Sequence, residues 1–166
     1  MIVLETGTRR LNPLIRAQTG GAGPSARLMA SVLSTVYQHQ GARAANWRPL
    51  VRGEIDEIAQ DCGVSDWDGY GAVAVSRKTR ENTERFVDLL PSDIPPPTAV
   101  PTPDGHIALT WDFGPGRILT ISVGESGSAA YAGILGNGVR RHGVEPFRDD
   151  VAKVLVESIR EVSAIV

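Results

Sequence analysis

Asp66, Trp67, Asp68 and Tyr70 crowd two carboxylates and two aromatic rings into five consecutive residues. Hard divalent cations take oxygen ligands, and crowded carboxylates shift each other's protonation, so these residue types suit metal binding or acid/base work. The same spacing suits a turn. Asp68 can accept backbone N–H groups in an Asx-type turn while Trp67 and Tyr70 anchor the following helix on a sheet. No further acidic ligand lies close by in sequence, which favours the turn.

A second cluster comprises Arg140, Arg141, His142, Glu145 and Phe147. A neutral histidine beside a carboxylate can act as a general base, and adjacent arginines can grip phosphate or carboxylate groups by paired hydrogen bonds. The competing expectation is a solvated loop after an edge strand, where charges discourage sheet-to-sheet association. Asp66, Asp68, His142 and Glu145 are thus the candidate catalytic or metal-binding set, on condition that they converge within about 4–6 Å.

The remaining reactive types carry weaker signals. His39, His106 and His142 lie far apart without His-x-His or Glu-x-x-His spacing, which argues against zinc. Cys62 is the single cysteine, reads as a small buried hydrophobe near a helix end, and forms no intrachain disulfide. Gly124-Glu-Ser sits between strands rather than in the strand-to-helix turn that a nucleophile elbow needs. The segment 20–27 is glycine-rich but lacks the Gly-Lys-Ser/Thr ending of a phosphate loop. No cofactor is expected. Trp111, at the end of an alternating strand, reads as core. Trp47 and Arg48 belong to the residue types that dominate binding hot spots, although Trp47 can equally pack on its own domain. With Trp67, Tyr70, Arg140 and Arg141 they are the candidate partner-binding residues.

The balance of charge sharpens the choice. The 166 residues hold 17 basic and 19 acidic side chains, a formal charge of −2. Residues 1–53 carry seven Arg and one Glu, about +6, whereas residues 54–166 carry ten basic and eighteen acidic groups, about −8. Arg9, Arg10, Arg16, Arg27, Arg43, Arg48 and Arg52 could neutralise nucleic-acid phosphates, but the acidic remainder repels the same polyanion. The apolar run 26–36 is too short and too polar to span a bilayer, so no membrane partner is expected, and the lone cysteine suits a reducing cytoplasm.

These residues require elements to position them. Residues 1–50 read as a basic, loop-rich segment with one amphipathic helix over 26–39, and 51–166 as one α+β domain. Apolar spacing predicts helices over 53–61, 75–90 and 149–162, with Gly63 and Pro91 as stops and Asp149 and Asp150 in the last helix's first turn. Five prolines between 94 and 103 leave room only for an extended segment. Thereafter a period of two over 98–102, 106–111, 117–123 and 129–135, broken by glycine turns, predicts an antiparallel meander of three to four strands covered by helices.

The segments Trp67-Asp-Gly-Tyr-Gly-Ala72, Pro101-Thr-Pro-Asp-Gly-His-Ile-Ala-Leu-Thr-Trp111, Ile118–Gly124, Tyr131–Gly133 and His142-Gly-Val-Glu-Pro-Phe147 resemble a family of small bacterial proteins. The resemblance covers about residues 65–162. It carries no enzyme activity, cofactor or substrate; members have the look of accessory proteins of mobile elements, a setting compatible with an antitoxin, immunity or defence role. Together these readings lead to a non-enzymatic protein-binding chain, whose partner is another protein or a second copy of itself. An acidic/His enzyme or metal site and nucleic-acid binding are the alternatives.

Overall fold

Alternating apolar residues joined by glycine turns build a five-stranded antiparallel sheet in the computed structural model, which describes residues 47–164. The order along the chain is α1 (Arg48–Asp61), α2 (Arg77–Leu89), β1 (Thr98–Pro101), β2 (Ile107–Asp112), β3 (Arg117–Val123), β4 (Ser128–Leu135), β5 (Arg140–Pro146) and α3 (Lys153–Ser163). Each strand pairs with its sequence neighbour, so the spatial order is β1-β2-β3-β4-β5. This is the expected α+β meander with one strand more. The expected helix over 26–39, His39, the glycine-rich 20–27 segment and Arg9, Arg10, Arg16, Arg27 and Arg43 lie outside the described residues.

Side-chain alternation decides which face is covered. Ile107, Leu109 and Trp111 of β2, Leu119, Ile121 and Val123 of β3, and Ala129 and Tyr131 of β4 are buried against the helices. Val51, Ile55 and Ile58 of α1, Phe86 and Val87 of α2, and Leu155, Ile159 and Val162 of α3 complete this core. Trp111 is 1% exposed and its indole N–H donates to Pro95 O at 2.9 Å, which ties the proline-rich segment to the sheet. The opposite face mixes small, polar and apolar residues: Thr110 and Thr120 touch through their hydroxyls at 3.2 Å, with Ala130 and Ala132 exposed beside them on β4 and Ile118 and Val144 exposed on the neighbouring strands.

Three boundaries differ from the periodicity. α1 begins at Arg48 rather than 53, because Pro49 lacks no needed donor in the first turn and Val51 extends the buried stripe of Ile55 and Ile58. Asp149 and Asp150 are not in the first turn of α3, which starts only at Lys153 after Val151 and Ala152 have packed against the core. Residues 140–146, expected as a solvated loop, form β5. Asn137 and Gly138, both at positive φ (49° and 75°), make the tight turn that folds this segment back onto β4. α2 follows the expectation closely: Ser76 caps it by accepting the Thr79 N–H at 3.1 Å, and Leu90 turns extended before Pro91.

Candidate functional site

The carboxylates of the Asp66–Tyr70 loop are consumed by backbone. Asp68 Oδ1 accepts the N–H groups of Tyr70 (2.8 Å) and Ala72 (3.1 Å). Asp66, at φ 63°, accepts the Gly71 N–H at 2.7 Å. Trp67 packs against the core and donates its indole N–H to Val73 O at 3.1 Å, and the Val73 N–H in turn reaches Pro103 O at 2.8 Å in the β1–β2 turn. The loop is therefore a strap onto that turn. Tyr70 does not anchor anything: it is 91% exposed at the loop tip, because Gly69 and Gly71, both at positive φ, turn the backbone on either side of it.

His142 and Glu145 stand elsewhere. β5 lies three to four strand spacings from β1 and β2, about 14–19 Å at ~4.8 Å per strand. His142 and Glu145 are three residues apart on one strand, so they point to opposite faces: His142, opposite Ala132, to the open face and Glu145, opposite Ala129, to the helix side. The four residues Asp66, Asp68, His142 and Glu145 are thus not brought into one pocket. Among the described residues no group of three or more His, Cys, Asp or Glu could hold a metal ion.

The other candidates are built into the fold. Trp47 is 5% exposed and packs in the core, so its ring is not displayed to a partner. Arg48 donates to Val87 O and Leu90 O, holding the first turn of α1 against the end of α2, and its guanidinium lies 5.2 Å from the Trp47 ring. Arg52 pairs with Asp88. Phe147 is buried with its ring edge-on to Phe86 at 5.0 Å. Burial, reinforced by Asp61, pushes the Cys62 thiol up to about 11, which makes it an inert core group rather than a nucleophile. His106 lies 3.3 Å from Asp104, whose carboxyl is held below its usual range first by the Thr102 hydroxyl, against desolvation, and then by His106. A cleft of about 500 Å³ beside the β4–β5 turn is lined by Arg117, but that guanidinium already caps the C-terminal end of α3 through Val162 O (2.8 and 3.1 Å) and Ala164 O.

What remains is backbone, at the two edges of the sheet. On β1 the Thr102 N–H bonds His106 O at 3.0 Å, so Thr102, Val100 and Thr98 face β2 and the N–H positions of Ala99 and Pro101 face outward. Both are closed. Pro101 has no N–H, and the Ala99 N–H is taken by Glu54 Oε2 at 3.0 Å. On β5 the bonds Leu135 N–H to Val139 O (2.8 Å) and Phe147 N–H to Gly127 O (3.3 Å) bracket the strand in a single register. The odd residues 141, 143 and 145 therefore bond β4, and the N–H and C=O groups of Arg140, His142 and Val144 face outward without a partner among the described residues.

The side chains along this open edge are exposed as well: Val144 is 64% exposed, and Arg140 and His142 are also at the surface. Among the described residues Arg141 alone of these side chains is tied down, donating to Ser158 Oγ at 3.1 Å and pairing with Glu161 at 2.8 Å, both on α3. Sequence reasoning named Arg140, Arg141, His142 and Glu145 but missed Val144 and the role of Glu54. The Asn137-Gly138 pair was the available sign of a further hairpin. No protein-family model matches the chain, and it has no significant match among curated proteins or solved structures.

Proposed function

We propose that this chain is a non-enzymatic protein-binding accessory protein, and that its docking element is the free edge of β5. The observation that carries the reading is the asymmetry of the two edges: Glu54 and Pro101 close β1, whereas β5, a seven-residue strand, has outward backbone groups without a partner among the described residues. An open edge is a template for another strand, whose main-chain hydrogen bonds supply affinity while alternate side chains supply selectivity. The resemblance of the Trp67–Ala72, Pro101–Trp111 and His142–Phe147 segments to small bacterial accessory proteins suits an antitoxin, immunity or defence setting in a reducing cytoplasm.

Nucleic-acid binding is less well supported, because Arg48 and Arg52 are engaged within the fold. Co-purification of the tag-free chain from its host, with the mass of the complex measured, tests the proposal against Val144→Pro. That substitution removes one outward N–H and leaves the bonds to β4 in place. A complex formed by the natural chain and lost in the variant is expected. A natural chain that stays alone, or a variant that retains the complex unchanged, overturns the reading.

A further inference from the structure

We infer that the strand accepted by β5 is β5 of a second copy, paired antiparallel about a two-fold axis at Gly143. This rests on the reading above and names the partner. The hydrogen-bonding parity permits it. With the axis at Gly143, His142 of each copy lies opposite Val144 of the other and Arg140 opposite Pro146, so all the paired groups are the outward-facing ones. Each His142–Val144 pair exchanges two backbone bonds, and each Arg140 N–H meets a Pro146 carbonyl of the other copy. The missing N–H of Pro146 ends the ladder.

The side chains agree with this register. Gly143 lies opposite Gly143, and Arg141 lies opposite Glu145 in both halves of the pair, on the helix side of the sheet. These are non-hydrogen-bonded positions, where facing side chains approach most closely. Glu145 has no ion pair among the described residues, whereas Arg141 is held in place by Ser158 and Glu161. The sequence Arg-His-Gly-Val-Glu is therefore charge-palindromic about its glycine: the strand is complementary to itself when antiparallel, as an isologous interface requires. A register shift of one residue would put backbone groups already bonded to β4 opposite the free ones, whereas an axis at His142 or Val144 keeps the parity but takes Arg141 away from Glu145.

There is also room. α3 lies against β3 and β4 and touches β5 through Arg141, so β5 projects beyond the helix layer. A two-fold perpendicular to the sheet keeps both helix layers on the same side and joins the two sheets into one of ten strands. Tyr131, whose ring would meet a Cβ at position 143 at 2.9 Å, covers Gly143 on that side from within its own copy.

The test is sedimentation velocity on the full 166-residue chain from about 1 to 200 µM, with circular dichroism to verify folding. A concentration-dependent dimer is expected, its dissociation constant raised at least about tenfold by Val144→Pro and by Glu145→Lys, which sets a cation opposite Arg141. Arg141→Glu should weaken self-pairing likewise. A 1:1 mixture of the Glu145→Lys and Arg141→Glu chains should recover a heterodimer, because each then presents the charge that the other lacks. A natural chain that is monomeric throughout, a dimer indifferent to Val144→Pro, or a mixture that stays monomeric overturns the self-pairing. If the natural chain is monomeric yet Val144→Pro abolishes its complex with a host protein, only the self-pairing falls and the docking edge stands.

Discussion

Adding the same single methyl group to two glycines should move stability in opposite directions. Gly133 lies within β4, where a Cβ would stand 2.6 Å from the Ile118 carbonyl oxygen, 2.9 Å from Leu119 Cδ1 and 3.0 Å from Leu119 Cα. Two of these three atoms are backbone of the adjacent central strand, so relief requires the sheet itself to shift. Overpacking of this kind costs about 1–3 kcal/mol. Gly53 is exposed within α1 and a Cβ there meets nothing within 4 Å. Alanine at that position reduces the entropy of the unfolded chain and improves helix propensity, a gain of about 0.5–1 kcal/mol. Urea denaturation followed by tryptophan fluorescence and circular dichroism should therefore place Gly133→Ala and Gly53→Ala at least about 1.5 kcal/mol apart, with unchanged denaturant slopes. A Gly133→Ala chain as stable as the natural one would refute the packing of β4 against β3 described above.

The Asp68 turn makes a second test: Asp68→Ala should lower stability by about 1 kcal/mol through the loss of its bonds to Tyr70 and Ala72, whereas Asp68→Asn retains an acceptor and most of the stability. Millimolar calcium or magnesium should leave the melting temperature of the natural chain unchanged, and a rise of several degrees would restore a metal role for Asp66 and Asp68. Cys62 predicts a pH effect. Its thiol titrates near 11 when folded against an ordinary value near 9, so the unfolded chain loses its proton first and stability falls between about pH 9 and 11. The loss should amount to roughly 2–3 kcal/mol, read as the difference in alkaline slope between the natural chain and Cys62→Ala; parallel slopes would contradict it. Ser76→Ala should destabilise by about 1 kcal/mol through loss of the cap on Thr79, measured by thermal denaturation, and no change would argue that α2 starts elsewhere.

The parts legible in the sequence were those with a buried side to reveal. α2 announced itself through Thr79, Thr83 and Phe86 between the Ser76 cap and Pro91, and β2 and β3 through Ile107, Leu109, Trp111, Leu119 and Ile121. β5 had no such signature. It projects beyond the helices, so Arg-Arg-His-Gly-Val-Glu needs no apolar alternation, and only the Asn137-Gly138 turn betrays it. The start of α3 was misplaced because Asp149 and Asp150 look like dipole-matching residues, whereas Asp149 pairs with Arg85 at 3.4 Å from outside the helix. The candidate site divides in the same way. The turn role of Asp68 follows from residue spacing alone. The closed edge at Ala99 and the open edge at Val144 depend on hydrogen-bond parity, which arises only when the strands are paired in register.

Amide hydrogen exchange read residue by residue on the full chain, dilute and then in its complex, bears most directly on the docking edge. In the dilute chain the amides of Arg141, Gly143 and Glu145 should be protected by β4 while those of His142 and Val144 exchange freely, and Ala99 should be slowed by Glu54. Complex formation should protect His142 and Val144 and leave Ala99 unchanged. Protection that stays confined to the odd residues of β5 in the complex would contradict the account.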